Sequence, residues 1–139
     1  GIPLTHRDHA QSCVFVTAHG RDGARNEEWP KMVRSGQTVV VYMGLSGIHE
    51  WRDSLAENKV DLNTLVAVID NGTRPNQRVV TGTISTIADE VRKAGLRGPS
   101  IGILGSVVSL HEKLSWYKHE GSSFHMGIGS AQPNNSNVK

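Results

Sequence analysis

The sequence predicts an α/β domain built on a mixed five-stranded sheet flanked by helices. Three observations carry this reading. Five short apolar runs recur along the chain, helical patterns follow several of them, and one gap between runs is too short to hold a helix.

The runs are Cys13–Thr17, Thr38–Tyr42, Leu65–Ile69, Arg78–Thr83 and Ser100–Leu104. Three of them are nearly continuous in β-branched and aliphatic residues, as strands buried on both faces of a sheet are. Between the first two runs, Glu28 to Arg34 has the length of a short helix. After the second, Ile48, Trp51 and Leu55 recur at helical spacing behind Gly47. The gap from Asn71 to Gln77 fits a tight turn between antiparallel neighbours, which makes the sheet mixed. Ile84, Ile87, Val91 and Ala94 form the cleanest helical stripe. Ser85 is its expected N-cap, Asp89 and Glu90 lie in or near its first turn, and Gly95 stops it. Val107, Leu110, Leu114 and Tyr117 form a third stripe. From Gly121 to Lys139 the chain is rich in Gly, Ser and Asn without periodicity, the composition of a disordered tail.

A length of 139 residues gives one domain able to bury a core, and the pattern assigns it to residues 1–120. Hydrophobic residues at 37% and charged residues at 20% fit a soluble globular protein. A net charge of +2 is too small to indicate nucleic acid or an acidic membrane surface as partner. No apolar run approaches the roughly 20 residues that span a bilayer, and no signal-peptide pattern opens the chain. With Cys13 as the single cysteine, these features point to a reducing, cytoplasmic setting. The chain opens at Gly1, inside what reads as a loop motif, as a domain taken from a longer protein would.

Some local signals are set aside. His6-Arg7-Asp8 matches the first letters of a kinase catalytic loop, but no Gly-rich nucleotide loop accompanies it. His6 and His9 are three apart with no further ligands at zinc-like spacing, so no metal is expected. Cys13 opens an apolar run and reads as a small hydrophobe rather than a nucleophile.

Several segments together are more specific. They are Gly1-Ile2-Pro3-Leu4-Thr5-His6-Arg7-Asp8 with Ala10-Gln11-Ser12, then Val16-Thr17-Ala18-His19, then Thr38 through Leu45, then Asn71-Gly72-Thr73-Arg74-Pro75-Asn76-Gln77-Arg78-Val79-Val80-Thr81-Gly82-Thr83. Gly105-Ser106-Val107-Val108 and Lys113-Leu114-Ser115-Trp116-Tyr117 close the set. In this order and spacing the chain resembles the C-terminal half of the uroporphyrinogen-III C-methyltransferases, a branch of the tetrapyrrole methylases. Position 18 departs from the family, with Ala where Gly is usual.

The resemblance implies S-adenosylmethionine as methyl donor, uroporphyrinogen III as acceptor, two methyl transfers giving precorrin-2, and a homodimer. It implies substrate contacts by Arg7 and His19, a position for Met43 between donor and substrate, and backbone contact of Gly72 with the donor. It also implies that the catalytic acid and base lie in an N-terminal domain with no counterpart here, so that no catalytic residue is expected in this chain and the chain alone is expected to be inactive. Thr5, Arg74, Gln77 and Arg78 are secondary candidates for shaping the cleft.

Each site residue also has a plainer reading. Arg7 is a solvated loop arginine, His19 a turn histidine, Met43 a core residue and Gly72 a turn glycine with positive φ. Two other functions stay open: a precorrin C-methyltransferase of the cobalamin pathway, and a non-catalytic ligand-binding or dimerisation domain.

Overall fold

The computed structural model describes residues 1–116. The expected tail from Gly121, and Tyr117 of the third stripe, lie outside the described residues. All five runs form strands: β1 (Ser12–Thr17), β2 (Gln37–Tyr42), β3 (Leu65–Asp70), β4 (Arg78–Thr83) and β5 (Ser100–Leu104). They make one sheet in the order β1-β2-β5-β3-β4. Among the described strands only β1 and β2 pair in parallel; β5 runs antiparallel to both β2 and β3, and β3 antiparallel to β4. The sheet is mixed, as the short Asn71–Gln77 gap requires.

The burial follows the sequence pattern. Central β2 buries Val39, Val40 and Val41, and central β3 buries Val66, Ala67 and Val68. The edge strands β1 and β4 are half-exposed. Insertion of β5 between β2 and β3 sets its chain direction against both, so the carboxyl ends of β1, β2 and β3 share one end of the sheet with the start of β5.

One face carries the larger core. Here α1 (Trp51–Glu57) and α2 (Ile87–Ala94) pack Trp51, Leu55, Ile87 and Val91 against Val39, Val41, Val66, Val68 and Leu104. The opposite face is covered by a 3-10 turn at Ser106–Leu110, which seats Val107 and Val108 over Val40, Ala67 and Ile103. It leads into one turn of helix, α3 (His111–Leu114).

Two local expectations change and a third holds. The Glu28–Arg34 stretch forms only a 3-10 turn, Trp29–Met32, with Pro30 at its start and Val33 already extended. Ser85 does not cap α2. Its hydroxyl donates to the Leu62 carbonyl at 3.2 Å, while Thr86 takes the N-cap position and its Oγ1 accepts the Thr83 N–H at 3.0 Å. Gly95 does stop α2, at φ 62°, its N–H donating back to Arg92.

Two tryptophans explain two glycines. Trp29 and Trp51 meet edge to face, with ring centroids 5.1 Å apart. A Cβ on Gly102 of β5 would stand 2.5 Å from Cη2 of Trp51, and one on Gly44 would overlap Cζ2 of the same ring. Gly44 therefore makes room for an indole. The tight backbone at the end of β2 falls instead on Met43, at φ 55°.

Candidate functional site

A cleft of about 1070 Å³ opens where β1, β2 and β3 end and β5 begins. Ligands meet open α/β sheets at this end of their strands. Three segments form the walls. One is His19 with Tyr42, Met43, Leu45 and Ser46, the second the Asn71–Arg74 turn, the third Leu96–Ile101. Ile69 and Ile101 supply apolar floor beside Tyr42. Arg74 and Arg97 stand at its lining, and among the described residues no Asp or Glu joins them. Such a site suits a ligand with apolar surface and negative charge.

The backbone of the cleft is unusual. Four described non-glycine residues have positive φ: Met43 (55°), Lys59 (60°), Asn71 (52°) and Thr73 (68°). Three of these four line the cleft. Non-glycine residues held there cost of order 1–3 kcal/mol each and cluster at ligand sites. Local bonds hold them. His19 Nδ1 lies 2.8 Å from the Met43 carbonyl, and because a carbonyl only accepts, that nitrogen carries the proton. Nε2 is then the His19 atom left for a ligand. The Thr73 N–H donates to Gln77 Oε1 at 2.6 Å. The Asn71 N–H donates to the Pro99 carbonyl at 2.8 Å, joining the second wall to the third.

The structure brings His19, Met43 and Gly72 together and sets Arg7 apart. Met43 is 58% exposed, so it is not filling the core. Gly72 is not a positive-φ position, and a Cβ there would meet only Ile69 Cγ2 at 3.4 Å and Gln77 Oε1 at 4.0 Å. Neither the backbone nor the packing of this chain calls for glycine at 72. Arg7 lies in the turn closed by His6 and Ala10, next to the start of β1. Gln11 bonds Gly36 just before β2, and the His9 carbonyl accepts from Ser106 just after β5. That is the far end of the sheet from the cleft, about 20 Å away along a six-residue strand. Arg7 thus does not line the cleft in this chain, and β1 lies between it and His19. Thr5 shares this exposed segment.

Arg78, a secondary candidate, is neither a free surface charge nor a lining residue. Its Nη2 donates to Asp70 at 3.0 Å and its Nη1 to the Ala94 carbonyl at 2.9 Å. The third wall was missed from the sequence. Its one available signal was the Gly98-Pro99 pair before β5, which marks a turn but not what the turn faces. Cys13 is half-buried on β1, and desolvation raises its thiol pKa, which disfavours the nucleophilic thiolate.

The family model for tetrapyrrole (corrin/porphyrin) methylases matches residues 1–88. The chain belongs to the tetrapyrrole methylase family. This is a methyltransferase family of tetrapyrrole biosynthesis. Among its relatives, the siroheme synthase of Nitrosomonas europaea is 45% identical over 96% of this chain and 28% of its own length. That of Methylobacillus flagellatus is 49% identical over 84% of this chain and 25% of its own. The chain therefore spans about a quarter of these curated relatives. The uroporphyrin-III C-methyl transferase of Thermus thermophilus, solved with S-adenyl homocysteine, superposes with a TM-score of 0.68 at 26% identity, over 78% of this chain and 48% of that one. A cobalt precorrin-4 methyltransferase, at 19% identity and a TM-score of 0.65, shares the tetrapyrrole methylase fold.

Proposed function

We propose that this chain forms one wall of the donor and acceptor cleft of a uroporphyrinogen-III C-methyltransferase, acting for sirohaem synthesis. The observation that carries the reading is the convergence of His19, Met43 and Gly72 on one cleft with strained backbone and cationic lining. The siroheme synthase relatives favour this acceptor over a later precorrin.

S-adenosylmethionine supplies an electrophilic methyl group on a sulfonium. The residues of this chain fit such a donor. Gly72 presents bare backbone where the chain itself has no use for glycine, and the exposed Met43 side chain stands over the cleft. Holding donor and acceptor in line is then the main catalytic contribution of this wall, because a displacement gains most from orientation. The acceptor carries eight carboxylates. Arg74 and Arg97 are the charged donors this wall offers them, and arginine can grip a carboxylate with two N–H groups. The acid and base are assigned to no residue here. A homodimer is part of the same proposal, from the family resemblance alone.

Gly72→Ala tests the donor contact. Stability is expected to stay equal or rise by about 0.4–1 kcal/mol, since alanine fits this backbone and restricts the unfolded chain. The Kd for S-adenosylhomocysteine, measured by calorimetry on the enzyme that carries this chain, is expected to rise roughly tenfold, because the added methyl holds the ligand off the backbone by about the worth of one hydrogen bond. An unchanged Kd would remove Gly72 from the donor site. The acceptor is tested by offering that enzyme each tetrapyrrole in turn. Methylation of a later precorrin but not of uroporphyrinogen III would replace the proposed activity with the precorrin one.

A further inference from the structure

Asp70 is the described residue most out of keeping with its surroundings. It ends β3 with a side chain only 1% exposed, in a protein whose other buried side chains are almost all apolar. A buried carboxylate is costly unless hydrogen bonds meet it. Here Oδ1 accepts the Gly98 N–H at 2.7 Å, and Oδ2 accepts Arg78 Nη2 at 3.0 Å and Asn71 Nδ2 at 3.1 Å.

These three partners belong to separate segments. Asn71 opens the turn that carries Gly72; Gly98 belongs to the third wall; Arg78 begins β4 and also grips the last carbonyl of α2. Two of the partners have left-handed backbone, Asn71 at φ 52° and Gly98 at φ 84°. The carboxylate thus fastens two left-handed segments of the cleft lining to a single buried point. The fold alone asks for less. The β3–β4 ladder already pairs Asp70 with Arg78 through backbone, and Gly95 already stops α2.

We infer that Asp70 is a positioning residue for the methyl donor: it sets the Gly72 backbone against the Leu96–Ser100 wall without touching the ligand. This deepens the proposed function and rests on the donor reading of Gly72. The chemistry makes it sensitive to a minimal change. An amide at position 70 has one acceptor oxygen in place of two, so an NH₂ group must face either Gly98 N–H or the Arg78 and Asn71 donors. One wall then loses this anchor, and the Asn71 N–H bond to Pro99 is left to hold the two together.

The test is Asp70→Asn in the enzyme that carries this chain, with the Kd for S-adenosylhomocysteine measured by calorimetry at a temperature where circular dichroism shows the variant fully folded. The expected result is a roughly tenfold weaker Kd, the size of one charge-assisted hydrogen bond lost from the wall. A purely structural Asp70 would lower Tm and leave that Kd at the wild-type value, which overturns the inference. If Asp70→Asn does not fold, Arg78→Lys replaces it. The guanidinium is half-exposed, and lysine keeps the charge while losing the fork that joins Asp70 to α2. The same weakening is expected, and an unchanged Kd again overturns the role. Gly72→Ala run alongside separates the two ideas. If it weakens binding while the Asp70 and Arg78 variants do not, the donor site stands and the positioning role falls. If none of the variants moves the Kd, the donor reading falls with it.

Discussion

Trp51→Ala is expected to cost about 3–5 kcal/mol of folding stability, read as a lower midpoint in urea unfolding. The indole is 4% exposed and packs edge to face on Trp29. It also fills the space left by Gly102 on β5 and by Gly44 just past the end of β2, two positions where a Cβ would collide with it. Removing the ring opens a cavity that rigid strand backbone cannot close, so the loss belongs in the upper range for a core aromatic. The complementary change checks the cause. Gly102→Ala should destabilise by about 1–3 kcal/mol through overpacking, and that cost should largely vanish in a Trp51→Leu background. An equal cost in both backgrounds would mean that Gly102 is needed for its backbone and not for the tryptophan.

Met43→Ala is expected to lower methyl transfer roughly 100-fold in kcat/KM, the scale on which misplaced reactants lose rate. Stability should move by no more than about 0.5 kcal/mol, because the side chain is 58% exposed and buries little apolar surface. The dissociation between the two readouts is what matters. A core methionine would show the reverse, a large stability loss with activity following the folded fraction. A fall in stability above about 2 kcal/mol with normal kcat/KM per folded molecule would return Met43 to the structural role.

The strands were legible because β-branched runs bounded by Gly, Asn and Asp carry their own signal. Thr38–Tyr42 and Leu65–Ile69 have no other comfortable conformation, and burial at the centre of the sheet confirms it. The Asn71–Gln77 turn was legible for a related reason: it is too short to be anything else. Helix boundaries were less so. Pro30 and the extended Val33 confine Trp29–Met32 to a 3-10 turn, and Ser85 bonds Leu62, 23 residues away, in place of capping α2. Both outcomes depend on partners that a local window does not contain.

The site was read in halves. His19, Met43 and Gly72 came from family resemblance, and the structure places all three on one cleft. Arg7 came from the same source and sits at the other end of β1. Its neighbours in sequence carry no information about which end of a strand faces a ligand, because a six-residue strand moves the chain across the whole sheet. Arg97 and the wall around it were not found, since only the insertion of β5 between β2 and β3 brings Leu96–Ile101 beside Met43.

The sequence by itself determined the alternation of strands and helices, the mixed sheet, and the family. These follow from residue types and short-range order, which any segment carries with it. Tertiary structure alone decided that Met43 bears the strained backbone while Gly44 serves Trp51, that Asp70 is a buried junction, and that Arg97 joins the cleft. The reason is physical. Strand order and register fix which distant atoms share a few ångströms, and the cost of burying a charge or an indole is set by those atoms and not by its neighbours along the chain.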